Sequence, residues 1–354
     1  MSSEIACSGV LQRVHEASVA WNQEHDYWER SAALTGMLAW ESPSGLEAAR
    51  RWLDRAVATQ DDRGYLSYGE PLALAGGHVG HYLPTAVLPA SMALPLLRLA
   101  QRDDNADWLK AVDRQMNAVM QAPRTERGGF SGRADRPELW VDMTYMICAL
   151  LAEYGHHRKD GSYVDEAYHQ LLVHADHLVD PRARLSRHTW VETPNHFSQS
   201  TFWSRGNGWI TCAAADLLEV APDHPSAGAA RQLLADVLDA VARHQLGSGF
   251  LRNVLDDPLD RVEASGTLMF AYAAAKAHRL GVVDEEYVAR ALRALTIVAG
   301  GCVDASGVVL DVVVPPGGPG VPYGTAAYAQ GFFLLACYEL RNELGLDAGV
   351  LDGK

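Results

Sequence analysis

The sequence lacks any run of the roughly 18 apolar residues that would span a membrane. It also lacks a basic block. Its formal net charge is −14, so nucleic acid and anionic membranes are poor partners, and an acidic ligand would need arginines placed in a pocket. Cysteines are few and odd in number (Cys7, Cys148, Cys212, Cys302, Cys337). They are scattered, and three lie in apolar runs, which excludes a disulfide framework and predicts buried, reduced thiols. The N-terminus becomes charged before a long apolar run develops, which predicts no secretory leader and a cytoplasmic protein. There is no Ser-His-Asp signature, no H-E-x-x-H and no Walker motif. The glycine-rich stretches GHVGH (Gly77–His81) and GGPGVPYG (Gly317–Gly324) do not follow a strand in a βαβ unit, so they read as loops. His169, His174, Asp176 and His177 share one predicted helix without a ligand from a second segment. They read as a solvated face, and neither metal nor other cofactor is expected. Asp256, Asp257 and Asp260 read as turn chemistry rather than a calcium site.

What the sequence has is helical periodicity. Hydrophobic residues make up 48%, enough for a large core. In 105–121 the residues Trp108, Leu109, Val112, Met116, Val119 and Met120 form one stripe, an amphipathic surface helix. Stretches such as 139–151, 267–277 and 325–340 are apolar nearly all round, which predicts burial on more than one side. The two kinds alternate through about twelve helices, near residues 7–21, 27–41, 45–59, 85–101, 105–121, 138–155, 162–179, 204–220, 225–243, 264–280, 285–299 and 325–343. An inner ring covered by an outer ring explains the alternation: an all-α, (α/α)6 barrel in one domain, 1–354. Ser44-x-x-Glu47 and Asp135-x-x-Glu138 read as capping boxes, with Pro137 in a first turn. Long Gly- and Pro-rich loops (66–84, 124–137, 185–201, 247–264, 301–324) precede inner helices at one end of the ring, where function is expected. The last of them suggests a short strand within 307–314.

Two segments carry chemistry. In ELWVDMTYM (Glu138–Met146), Asp142 sits among Trp140, Tyr145 and Met146 near a helix start. Apolar neighbours disfavour its charge and the helix dipole favours it, a balance suited to a group that gives and takes a proton. The plainer reading is a capping carboxylate. In FWSRGNGW (Phe202–Trp209), Trp203 and Trp209 offer flat faces for a sugar ring, and Arg205 a planar fork for a carboxylate. The plainer reading is a packed aromatic corner.

Together with PRTERGGF (Pro123–Phe130), RHTWVET (Arg187–Thr193), EASGTLMFAYA (Glu263–Ala273) and YGTAAYAQGFFLLACYE (Tyr323–Glu339), these segments give the chain a resemblance to the unsaturated rhamnogalacturonyl hydrolases, glycoside hydrolase family 105, and the related unsaturated glucuronyl hydrolases, family 88. The resemblance covers most of the chain and implies the (α/α)6 barrel. It implies protonation of carbon four of a 4,5-unsaturated uronide, addition of water at carbon five, and release of the aglycone when the hemiketal opens. Asp142 falls on the acid/base position. His188 and Trp190, with Trp203, Arg205, Trp209, Trp140 and Tyr145, are the implied substrate contacts. Two positions depart from the family pattern: Gly132 stands where GGF-x-H has histidine, and about Thr85 where an aspartate opens the fourth helix. His78 and His81 lie just upstream of Thr85 and are candidates to compensate.

Three functions remain open on these residues: hydrolysis of an unsaturated uronide, acid-initiated hydration, isomerisation or cyclisation of a non-sugar alkene, and catalytically silent binding. The expected partner is a small molecule, and the expected state a monomer or homodimer.

Overall fold

A computed structural model describes residues 2–22, 27–66, 85–347 and 349–352, with the backbone alone for 2–7 and 27. His78 and His81 lie outside the described residues. Among the described residues twelve α-helices follow in order: α1 (Ser2–Ala20), α2 (Tyr27–Trp40), α3 (Pro43–Ala58), α4 (Ala93–Arg102), α5 (Ala106–Met120), α6 (Asp142–Arg158), α7 (Ser162–Leu178), α8 (Ser204–Val220), α9 (Ala227–Ala242), α10 (Ala264–Arg279), α11 (Glu286–Gly301) and α12 (Ala327–Glu339). The even helices pack in sequence, and α12 packs back on α2, closing an inner ring; the odd helices cover it from outside. This is the (α/α)6 toroid that the alternation predicts.

Closure depends on bare α-carbons. A Cβ on Gly36 of α2 would lie 2.7 Å from the carbonyl oxygen of Gly331, and one on Gly331 of α12 would lie 2.3 Å from the backbone of Ala32. The two helices therefore touch backbone to backbone. The Trp40 indole donates to the Leu334 carbonyl at 3.0 Å across the same seam.

Short strands cross the end of the ring where the inner helices begin. They are β1 (Glu138–Trp140), β2 (Thr189–Val191), β3 (His196–Gln199), β4 (Leu251–Arg252), β5 (Val262–Glu263), β6 (Val312–Val313) and β7 (Tyr323–Gly324). They pair antiparallel as β1-β2-β3, β4-β5 and β6-β7. We call this end the mouth and the opposite end the floor.

Four local expectations are corrected. The helix expected from 138 starts at Asp142, because Glu138, Leu139 and Trp140 pair with Val191, Trp190 and Thr189. Asp135-x-x-Glu138 is therefore no capping box, and Pro137 precedes a strand. Ser42, not Ser44, caps α3, accepting from the Gly45 amide at 3.1 Å with Pro43 beginning the helix. The helix expected from 85 starts at Ala93 after a 3-10 turn (Pro89–Met92); Pro95 lacks an N–H and fits only a first turn. Finally, His174 is not on a solvated face: it is fully buried, with Nδ1 2.8 Å from the Gln170 carbonyl oxygen. Among the described residues no group of three potential ligands gathers to hold a metal, and no helix is long and apolar enough to cross a membrane.

Candidate active site

The first turns of the inner helices meet at the mouth, so side chains remote in sequence become neighbours there. Asp142 opens α6, with Val141 before it as the N-cap. Thr144 donates to the Val141 carbonyl at 2.7 Å and fixes the turn. His188, on the segment entering β2, places Nε2 3.1 Å from Asp142 Oδ2. Its other nitrogen, Nδ1, lies 2.5 Å from Gln199 Oε1 of β3. The sheet thus delivers an imidazole to the carboxyl group. Oδ2 of Asp142 is buried and receives no well-directed hydrogen bond.

The His188 ring lies 4.6 Å from the indole of Trp203, and the guanidinium of Arg205 lies over the same indole. Its carbon is 4.1 Å from the Trp203 ring and 4.7 Å from the Tyr328 ring. Arg205 is fully buried. Nη1 donates to the Val313 carbonyl at 2.6 Å and to Ser265 Oγ at 3.0 Å, 3.6 Å from the Glu263 carboxylate. Nε and Nη2 have no partner. These two nitrogens form one edge of the guanidinium, the geometry that grips a carboxylate in two bonds. The indole nitrogens of Trp203 and Trp209 and the Ser204 hydroxyl are likewise buried without partners. Buried polar groups are ordinarily hydrogen-bonded; here several side chains near one another leave polar atoms without a partner.

Beneath them the ring is filled with aromatic side chains. Trp209 packs on Tyr145 at 5.0 Å and on Phe332 at 5.6 Å, and Trp28 stacks on Tyr328 at 5.6 Å. Burial, and secondarily the negative charge of Asp216, pushes the Tyr145 phenol well above its usual range. Burial does the same to Tyr328 against the pull of Arg205, so Tyr328 stays protonated and donates to the Val313 carbonyl at 2.8 Å.

Most of the residues expected from sequence meet here: Asp142, His188, Trp203, Arg205, Trp209 and Tyr145. Trp140 stands beside them on β1, its indole nitrogen donating to Glu138 Oε1 at 2.9 Å. Trp190 does not join them. Its ring packs at 4.2 Å on His177 of α7, and its nitrogen donates to Asn195 at 2.8 Å, so it anchors β2 to the outer ring. Sequence reasoning missed Glu263, Gln199, Trp28 and Tyr328. For Glu263 a signal existed, a carboxylate three residues before Gly266 at a predicted helix start; for the others only the fold supplies the proximity.

The two departures from the family pattern lie together. Thr85 is buried and donates to the Ser131 carbonyl at 2.8 Å, and Gly132 follows directly. A Cβ on Gly132 would lie 3.1 Å from the Trp140 ring, so the indole occupies the room that a side chain there would need.

A six-hairpin toroid whose mouth joins a carboxyl group, an imidazole and a buried arginine among indole faces is the architecture of a carbohydrate-cleaving hydrolase. The chain belongs to Glycosyl Hydrolase Family 88, which it matches over residues 5–344. It is 26% identical to the unsaturated rhamnogalacturonyl hydrolase YesR of Bacillus subtilis over 300 residues, 81% of this chain and 78% of that protein. A solved structure described as a possible member of the GH105 family from Salmonella enterica superposes with a TM-score of 0.80 at 25% identity, covering 95% of this chain and 94% of that one. An unsaturated glucuronyl hydrolase specific for heparin shares the fold at 11% identity, with a TM-score of 0.74 over 97% of this chain and 98% of the other.

Proposed function

We propose that the protein hydrates the double bond between carbons four and five of an unsaturated uronic acid and thereby releases the sugar attached to it. Asp142 gives its proton to carbon four. The cation that forms at carbon five is stabilised by the ring oxygen. Asp142, now a carboxylate, takes a proton from water as the water oxygen bonds to carbon five. The hemiketal then opens to a ketone, and the hemiacetal left at carbon one expels the aglycone as an alcohol. One carboxyl group serves both proton transfers, unlike the paired carboxylates of most glycosidases. With Gln199 accepting at Oε1, His188 carries its proton on Nδ1 and turns the Nε2 lone pair toward Asp142 Oδ2, where it accepts from the protonated carboxyl group and orients it.

The observation that carries this reading is the unpaired Nε/Nη2 edge of fully buried Arg205, whose guanidinium lies over Trp203, the indole that also packs on His188. A sugar carboxylate satisfies that edge. Trp140, half-buried over Gly132, gives the sugar an aromatic wall, while Trp203 and Trp209 are buried against His188 and Arg205 and against Tyr145 and Phe332 and hold these side chains in place. No cofactor enters these steps. Four buried cysteines outside any disulfide support a cytoplasmic setting, and we take the working unit to be a monomer or homodimer.

The test is direct. The protein and an Asp142→Asn variant are mixed with unsaturated uronyl disaccharides of several linkages, and the ultraviolet absorbance of the conjugated double bond is followed. Wild type removes it, and the variant is slower by roughly 10³-fold or more. No loss of absorbance with any linkage would sink the proposal.

A further inference from the structure

Glu263 is a charged residue that the proposed reaction does not use, yet it is fully buried. It is the N-cap of α10 and its two oxygens are shared among three elements. Oε2 accepts from the Gly266 amide at 2.6 Å. Oε1 accepts from the Ser265 hydroxyl at 2.6 Å and from the Val313 amide of β6 at 3.1 Å. The same Oε1 stands 3.6 Å from Arg205 Nη1 of α8. Arg205 Nη1 in turn donates to Ser265 and to the Val313 carbonyl, and Tyr328 of α12 donates to that carbonyl as well. The result is a closed knot joining α8, α10, α12 and β6. Every donor of the knot is engaged except the Nε and Nη2 edge of Arg205.

A helix cap needs one acceptor, and serine, aspartate or asparagine ordinarily supplies it. A full-length glutamate with zero exposure does more than cap. It places a negative charge beside a buried guanidinium that would otherwise be an isolated cation, a costly arrangement. It also fixes which corner of the guanidinium is consumed. We propose that Glu263 is a positioning residue. By holding Arg205 through Nη1, Ser265 and Val313, it leaves the Nε/Nη2 edge unengaged as a preset fork for the carboxylate of the substrate. This rests on the reading of Arg205 given above. Glu263 touches no reacting atom; it acts through Arg205.

Glu263→Gln separates this role from a structural one. The amide nitrogen must face either the Gly266 amide or the cluster of donors at Oε1, so the knot loosens while size is kept. Glu263→Asp keeps the charge and the cap but shortens the reach to Val313 and Arg205, and serves if the first variant folds poorly. Kinetics are read on an unsaturated uronide and on its methyl ester, which lacks the anionic carboxylate. Both variants are expected to raise KM for the acid roughly ten- to hundredfold with kcat changed far less, and to leave KM for the ester nearly unchanged. Equal losses on acid and ester, or a lowered melting temperature with KM intact, would reduce Glu263 to a cap and overturn the inference. Calorimetric binding of the saturated sugar acid glucuronate is measured in parallel. If wild type lacks turnover but binds glucuronate, and the variants lose that binding, the hydration reaction is refuted and the positioning role stands. If wild type has neither turnover nor glucuronate binding, both fall.

Discussion

At the floor of the ring, Lys276 is held by Asp216 at 2.7 Å, Glu219 at 2.5 Å and the Tyr272 hydroxyl at 2.9 Å. Arg279 bridges Glu339 and Glu219, and Arg98 takes both oxygens of Glu153. At the mouth, Arg205 leaves two donors idle, and Asp142 one buried oxygen. Both ends bury charge, but only one leaves it incomplete. The floor even has a cavity of about 470 Å³, yet none of its lining residues leaves a buried side-chain nitrogen or oxygen unpaired. The helix dipoles explain the division. The inner helices converge on the floor with their C-termini, whose partial negative charge favours Arg98, Lys276 and Arg279 there, alongside the carboxylates of Glu153, Asp216, Glu219 and Glu339. Burial works against the charge on Lys276, but Asp216, Glu219 and Glu339 outweigh it and hold its pKa above the usual value. At the mouth the positive N-termini favour anions: the Asp142 carboxylate, and in our reading that of the substrate.

Four sets of variants test what separates the two ends. Asp142→Asn should lower turnover of an unsaturated uronide roughly 10³-fold or more while the unfolding midpoint in urea stays or rises, because it removes an unsatisfied buried acceptor. Lys276→Met should do the reverse. Stranding Asp216 costs roughly 3–5 kcal/mol of stability in denaturant titrations, with KM unchanged. A Lys276→Met/Asp216→Leu double variant that failed to recover most of that loss would contradict the pairing argument. Outside both ends, buried His174 has its pKa lowered to about 4 by burial. The unfolded chain binds this proton from about pH 6.5 downward, whereas the folded one resists it until about 4. Stability is therefore lost as pH falls through that window, by about 3 kcal/mol at most, and His174→Gln should flatten the slope seen in urea titrations between pH 7 and 5. Last, Gly132→Ala should cost about 1 kcal/mol by pushing on the Trp140 ring, and shift aglycone preference in competition assays between disaccharides. An unchanged preference would remove Trp140 from the substrate wall.

Much of this was legible in the chain. Alternating amphipathic and all-apolar helices gave the ring, because inner helices are wetted on neither flank. Asp142 and Arg205 stood out because a lone charge in an apolar run must have a reason. Capping was misread where a short S/T/D-x-x-E pattern has too little information: Ser42 with Pro43 outcompetes Ser44, and Glu138 is drawn into a strand by pairing with a segment some fifty residues later. Trp190 looked like a sugar platform since its residue type is the same whether it faces a ligand or His177. Glu263 and Tyr328 were invisible as partners of Arg205, because the contact joins positions that only ring closure brings together.

That closure has a bearing on how the protein is made. The seam where Gly36 meets Gly331, and Trp40 reaches Leu334, links the first hairpin to the last, a separation of 294 residues for the indole hydrogen bond. During synthesis α2 must wait with one apolar flank uncovered until α12 has left the ribosome. Hairpins in between can assemble on their neighbours as they emerge, but the ring is an open arc until α12 arrives. Ring closure is thus the late step of an otherwise progressive assembly, and until then the nascent arc carries an open apolar flank at each end.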